Sequence, residues 1–407
     1  MNRQNRKSNA ARQRKSRIKQ RYYDYNLLAG VILLTCFGLV MLYSTSAYEA
    51  QMKFGNDMYY FGKQAAISAG CFVLILIASQ INYHFYMKMA PLVFVVANIL
   101  LFMTKFIGTT INGAKRWIFF GPISFQPAEL GKLAIIMFLP YLIVKLGRNM
   151  RGAKAPLVVA AFGGITSLLT YGFTDNLSTA VIIAGITVIL IFVAHPKTKV
   201  FLLIGSTLAV TGVIGIRLLV SEMGASENFR FNRILVWMNP EAYSSKGGYQ
   251  IMQALYAIGS GGFFGKGLGN SAQKLGAVPE AQNDMIFSIV CEELGVFGAA
   301  MLTVMFLFLL YRLIFIAQNA PDLTGSLIVT GIFGHISLQV ILNIAVVINL
   351  IPTTGITLPF VSYGGTSILF LMAEMALALS VSRQIKLKEE EANSVTRLRP
   401  DSRMNKR

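Results

Sequence analysis

Carboxylates and cations set inside or beside long apolar runs are the side chains of this chain that could do chemistry. Glu129 and Lys132 stand just ahead of the uncharged stretch Leu133–Val144. Those twelve residues are too few to cross a bilayer, so a span here must carry Gln126, Glu129 and Lys132 in with it. Three residues apart, Glu129 and Lys132 share a helix face and can pair. They must face the bundle interior or a water-filled cavity, because a charge deep in lipid costs at least ~2.5–3.5 kcal/mol. Two roles stay open: a structural ion pair, or a phosphate-binding lysine steadied by the glutamate. Glu374 sits midway along the apolar run Thr366–Ile385 and must also face inward, either to fix packing through a hydrogen bond or to meet a substrate. Asp284 opens the run Met285–Tyr311. As one helix that run is about 40 Å long, more than the ~30 Å hydrocarbon core. Glu292 and Glu293 then lie near the outer boundary and Asp284 at the mouth of the bundle. Asp284 is either a helix N-cap or a carboxylate free to act as a base. Lys115 and Arg116 beside Trp117 fit an interfacial anchor equally well as a grip on an anionic lipid head group.

The elements that must hold these residues are membrane helices. Hydrophobic residues are 54% of the 407 and charged residues 14%, against about 25% charged in soluble domains. That excludes a disordered chain, a disulfide scaffold and a soluble enzyme. Ten apolar runs of roughly 20 residues, the length that crosses a bilayer as a helix, can be counted: Tyr25–Tyr48, Gln64–Ile81, Met89–Ile107, Gln126–Leu146, Ala155–Phe173, Asn176–Ala194, Val200–Val220, Met285–Tyr311, Leu323–Ile348 and Thr366–Ile385. None alternates with period two, so the expected fold is all-α and polytopic. Of the 37 Lys and Arg residues, 25 fall on the side of the N-terminus, which puts both termini in the cytoplasm. The net charge of +19 is thereby read as topology anchoring beside anionic lipid rather than nucleic-acid binding. The organisation is a basic cytoplasmic tail (1–24), a ten-helix membrane domain (25–386) and a second cytoplasmic tail (387–407). One outer connection, 221–283, is long enough to suggest function. The last outer loop, Pro352–Thr366, holds two prolines and three glycines. Irregular backbone at membrane depth needs protein or a wet cavity around it. Cys36, Cys71 and Cys291 read as small buried hydrophobes, and His84, His195 and His335 form no metal-ligand cluster.

Together these segments resemble the SEDS family (shape, elongation, division and sporulation), the FtsW/RodA/SpoVE type. The resemblance is carried by Asn112-Gly-Ala-Lys-Arg-Trp117, Gln126-Pro-Ala-Glu-Leu-Gly-Lys132, Gly248-Tyr-Gln-Ile-Met-Gln253, Gly265-Lys-Gly267, Pro279-Glu280 with Asn283-Asp-Met-Ile-Phe287, Glu292-Glu-Leu-Gly295, and Leu358-Pro-Phe-Val-Ser-Tyr-Gly-Gly365, in that order. It implies a peptidoglycan glycosyltransferase that polymerises lipid II on the outer face of the bacterial cytoplasmic membrane. It also implies a class B penicillin-binding protein as transpeptidase partner, with other division proteins nearby. Asp284 matches the family's essential carboxylate. Arg116, Glu129 and Lys132 match family motif positions lining a central cavity, and with Arg233, Gln253, Lys266, Glu280 and Ser362 they are the expected substrate-binding residues. Leu39–Ser44 and Ala128 lean toward the FtsW-like division or sporulation members, hence toward the septum. One departure is Thr174-Asp-Asn-Leu-Ser-Thr179, where Asn176 occupies the family's usual Asp position.

For such a reaction Asp284 is the candidate base, and Arg116, Lys132 and Arg233 are candidates to stabilise a departing pyrophosphate. No preformed metal cage is visible; a Mg²⁺ or Mn²⁺ would be shared between carboxylate and pyrophosphate. The alternatives are a lipid II flippase, which intramembrane Glu129, Lys132 and Glu374 would suit, and a non-catalytic scaffold of the division complex.

Overall fold

The computed structural model describes residues 22–111, 114–121, 123–152, 154–196, 229–243, 248–275, 278–279 and 281–385. In chain order the elements are α1 (Tyr25–Phe54), α2 (Tyr59–Ala78), α3 (Tyr83–Ile107), β1 (Thr109–Ile111), β2 (Ala114–Phe120), β3 (Ile123–Phe125), α4 (Pro127–Leu146), α5 (Lys154–Thr174), α6 (Leu177–Ala194), α7 (Phe229–Met238), α8 (Gly248–Gly261), α9 (Ile286–Asn319), α10 (Leu323–Val347) and α11 (Gly365–Ser382). Among the described residues nine helices are long and apolar enough to cross a membrane. The expected seventh span, Val200–Val220, lies outside the described residues, as do both terminal tails.

Local chemistry sets the helix ends. Asp24 caps α1 by accepting from the Leu27 N–H (2.8 Å), and Asp322 caps α10 through the Gly325 N–H (2.7 Å); each satisfies an orphan donor of the first turn. Helix α1 runs six residues past the expected Tyr48, carried by a Glu49–Lys53 pair one turn apart, and stops at Gly55 in the left-handed region (φ 67°). Pro127 opens α4, where its missing N–H would have had no partner anyway. Helices α10 and α11 are 67% and 78% buried over their most apolar stretches, against 22% for α2 and 28% each for α3 and α5. The first two are therefore the centre of the bundle, and the other three face lipid along most of their surface. Cys36 is exposed on α1, unlike Cys71 and Cys291, which are buried as expected.

Two features depart from the expected helices. The Lys115-Arg116-Trp117 segment is a strand in a three-stranded antiparallel sheet, with Thr109 opposite Trp117 and Ile118 opposite Phe125. The sheet folds the α3–α4 connection into a small platform. Helix α9 also corrects the reading of one continuous rod: Gly295 breaks it with φ 68° and ψ −165°. A side chain could not take that place, since a Cβ there would lie 2.4 Å from the Gly265 nitrogen and the Phe263 oxygen. The backbone groups freed by the break are taken up by the incoming 262–267 segment. Lys266 and Gly267 N–H groups donate to the Glu292 and Glu293 carbonyls (2.9 Å each). Val296 and Phe297 N–H groups donate to the Gly262 and Phe263 carbonyls (3.0 Å each). This is how a helix break survives at membrane depth.

Helix α6, about 27 Å long, starts beside Thr354, to whose carbonyl Ser178 donates. Helix α7 packs at that same face through Arg233 and Thr353. This face carries the hairpin, the start of α9 and the α10–α11 loop. The charge distribution predicts that this face is the outer one. In a cysteine-free background, a cysteine at Ala242 is expected to react with an impermeant maleimide in intact cells, and one at Arg151 only after permeabilisation. Labelling of Arg151→Cys in intact cells would reverse the orientation.

Candidate functional site

The site is organised by the α10–α11 loop, residues 348–364, which folds over the turn that precedes α9. Asn343, near the end of α10, donates from one amide nitrogen to two carbonyls, Asp284 O (2.8 Å) and Ile356 O (2.6 Å). Ser362 donates to the Asn283 carbonyl (2.6 Å) and accepts from the Leu358 N–H (2.8 Å). The Tyr363 N–H donates to the Gln282 carbonyl (3.0 Å). Three consecutive residues, Gln282, Asn283 and Asp284, are thus held by their backbone carbonyls. The Asp284 side chain lies against the same loop. Gly355 faces it: a Cβ there would lie 3.6 Å from Asp284 Oδ2, and φ of +66° already favours glycine. The N-cap of α9 is Met285, with no side-chain cap, so the capping role expected for Asp284 is not the one it takes.

Two guanidiniums lie close enough to feel one another at this face. Arg233 donates to the Thr353 carbonyl (3.2 Å). Arg116, on β2, donates to the Asp175 carbonyl (2.9 Å), and its buried Nε has no hydrogen-bond partner among the described residues. Burial, reinforced by the charge of Arg233, holds the Arg116 guanidinium below its usual pKa, with Asp175 acting in the opposite direction. Two like charges close enough to feel one another favour an anion between them. Asp175 adopts a positive φ of 49°, and Asn176 caps α6 by accepting from the Thr179 N–H (3.1 Å). The divergent Thr174–Thr179 stretch therefore shapes the seat of Arg116 and starts a helix.

The remaining expected positions lie elsewhere. Lys132 pairs with Glu129 (2.9 Å), their side chains 2% and 7% exposed. The Lys132 ammonium also donates to Gln339 Oε1 (3.1 Å), and Ser367 donates to Glu129 (3.4 Å). Lys266 is engaged by Glu292 (2.7 Å) and Lys274 by Glu293 (2.8 Å). Both glutamates are fully buried and latch the 266–274 loop onto α9, with Ser271 also donating to Glu292 and Ser44 to Glu293. Gln253 is half-buried on α8, and Glu280 lies outside the described residues. No three His, Cys, Asp or Glu side chains converge on a metal site among the described residues. Sequence reasoning missed Asn343, Gln339 and His335. Their signal is a four-residue spacing of polar residues along an otherwise apolar span, one helix face.

Comparison with known proteins decides the family. The family model described as "Cell cycle protein" (FtsW/RodA/SpoVE) matches residues 25–387. The chain belongs to this family. Stage V sporulation protein E of Bacillus subtilis is 37% identical over 363 residues, covering 88% of this chain and 97% of that one. A probable peptidoglycan glycosyltransferase FtsW of Trichlorobacter lovleyi is 36% identical over 371 residues, covering 90% and 94%. Among solved structures, one from a study of "polymerization and crosslinking by a peptidoglycan synthase complex" aligns with TM-score 0.74 at 25% identity, covering 90% of this chain and 99% of that one. The rod shape determining protein RodA of Thermus thermophilus shares the fold, with TM-score 0.61 at 24% identity and coverage of 90% and 98%.

The closed Glu129–Lys132 pair generates a prediction. Lys132→Ala leaves a buried carboxylate without its cation and is expected to lower stability by about 3–5 kcal/mol. Combining Glu129→Gln with Lys132→Met removes both charges and is expected to recover most of that loss. Thermal melts in detergent read the difference; equal melts for Lys132→Ala and wild type would make the pair energetically idle.

Proposed function

We propose that the protein is a peptidoglycan glycosyltransferase that polymerises lipid II at the outer face of the cytoplasmic membrane. The observation that carries this is the Asp284 carboxylate, its backbone held at the Gly355 turn, with Arg233 on that same loop and Arg116 close enough to feel the charge of Arg233. Names of relatives, a probable peptidoglycan glycosyltransferase FtsW among them, support the same reading.

The chemistry follows from the groups. The acceptor sugar's hydroxyl attacks the anomeric carbon of the donor. Asp284 takes the hydroxyl proton as the new glycosidic bond forms and the bond from that carbon to the pyrophosphate oxygen breaks. An α-linked donor gives a β-linked product in one inversion, so one carboxylate suffices. The leaving polyprenyl pyrophosphate carries its new charge toward Arg116 and Arg233, whose planar forks suit phosphate oxygens. Among the described residues no three His, Cys, Asp or Glu side chains converge into a metal cage. A Mg²⁺ or Mn²⁺ would therefore be held between Asp284 and the pyrophosphate, supplying charge neutralisation. Lys132 and Glu129 support the site from beneath.

The flippase alternative needs Glu129, Lys132 and Glu374 to meet a head group in transit, and all three are buried and engaged with neighbouring side chains. The reading carries further proposals: both termini in the cytoplasm, action at the division septum or in sporulation, and a class B penicillin-binding protein as transpeptidase partner. The synthase complex with the same fold favours such a partner.

Asp284→Asn keeps the shape of the side chain and the backbone bonds that hold it. A general base contributes about 10²–10⁴-fold, roughly 3–5.5 kcal/mol of barrier. The variant, purified with the partner and given labelled lipid II, is expected to accumulate normally and to polymerise at least a hundredfold more slowly. Near-normal polymerisation would remove Asp284 as the base.

A further inference from the structure

A continuous chain of buried polar groups runs from the middle of α11 to the loop that aims Asp284. Glu374 lies with both carboxylate oxygens against His335 Nδ1 (2.8 and 2.9 Å), and His335 Nε2 lies 2.7 Å from Gln339 Oε1. That same oxygen accepts from the Lys132 ammonium (3.1 Å), while the Gln339 amide nitrogen donates to the Thr357 carbonyl (3.0 Å). His335, Gln339 and Glu374 are at most 2% exposed.

Donor and acceptor rules fix the direction of every link. Thr357 O only accepts, so the Gln339 amide nitrogen must face it and Oε1 must face Lys132. Oε1 has no proton to give, so His335 donates from Nε2. Its Nδ1 and Glu374 then share one further proton, and the pair is net neutral whichever of them holds it. Gln339 is the junction: its carboxamide joins α4, α10 and the loop, and Glu374 and His335 hold that carboxamide in place. Thr357 is two residues from Gly355, which abuts Asp284.

The geometry points to His335 and Glu374 as positioning residues. Through Gln339 they hold the 355–357 segment, and Lys132 with it, so that the Asp284 carboxylate is aimed. This rests on the glycosyltransferase reading, and the test keeps the two apart. Glu374→Gln can donate to Nδ1 of a neutral His335 and leaves every hydrogen bond of the chain in place with the net charge unchanged. Glu374→Leu has similar bulk and offers His335 nothing. With labelled lipid II and the partner transpeptidase, Glu374→Leu is expected to lower kcat at least tenfold with KM within twofold, and Glu374→Gln to keep more than half of wild-type kcat. Gln339→Asn, which shortens the junction by one methylene while keeping it polar, is expected to lower kcat at least fivefold and serves should Glu374→Leu not accumulate. Full kcat in Glu374→Leu or in Gln339→Asn overturns the proposal. Equal loss in Glu374→Gln and Glu374→Leu overturns it too, because charge rather than hydrogen bonding would then be required. Asp284→Asn measured alongside reports on the glycosyltransferase reading by itself.

Discussion

Water does not reach the apolar interior of a helical membrane protein, so a polar group sent there must find its partner in the chain. Most of this architecture can be traced to that constraint. Asp24 receives two donors from Arg312, one at 2.7 Å, and joins the starts and ends of α1, α9 and α11 through Ser382. Glu292 and Glu293, one residue apart, each take a lysine from the folded-back 266–274 loop. Glu129 takes Lys132, and Glu374 takes His335. Each buried carboxylate has a cation or imidazole against it, and each such contact ties segments that hydrophobic packing alone would leave free to slide. Lipid tails are as apolar as the helix surfaces, so such polar ties carry much of the specificity of packing.

Asp284 stands at the end of this network. The carbonyls of Gln282, Asn283 and Asp284 are taken by Tyr363, Ser362 and Asn343, and Gly355 faces the Asp284 carboxylate. The rigid α10 end thereby gives this turn a precision that a loop alone would lack, which the proposed base requires.

The nine spans among the described residues were legible because apolar runs of membrane length have few other solutions. The pairing of Glu129 with Lys132 was legible for the same kind of reason: three residues apart, in a span too short without them, they had to enter together and meet. What escaped depends on long-range partners. The break at Gly295 needs the 262–267 segment, some thirty residues upstream, and a glycine in an apolar run looks no different from one packed against a neighbour. The hairpin at Lys115–Trp117 is stabilised by pairing with 109–111 and 123–125, each too short to read as a strand alone. His335, Gln339 and Asn343 were visible as residues, yet their meaning lies in sharing one face of α10. Counting histidines for metal ligands passes over a histidine whose partners are amides and a carboxylate.

That face of α10 bears on how the site tolerates sequence change. Gln339 reaches Thr357, and Asn343 reaches both Ile356 and Asp284, so one rigid helix controls the loop at two adjacent points and the Asp284 backbone at a third. The loop itself contributes carbonyls, N–H groups and glycine geometry more than side chains. Its neighbours can therefore vary so long as the backbone path survives. Asn176 caps α6 with an amide oxygen, as a carboxylate could. The seat of Arg116 uses the carbonyl of Asp175 together with its charge. A site built on backbone positions, and braced by a buried side-chain chain on one helix, places its demand for exact residue identity on the brace.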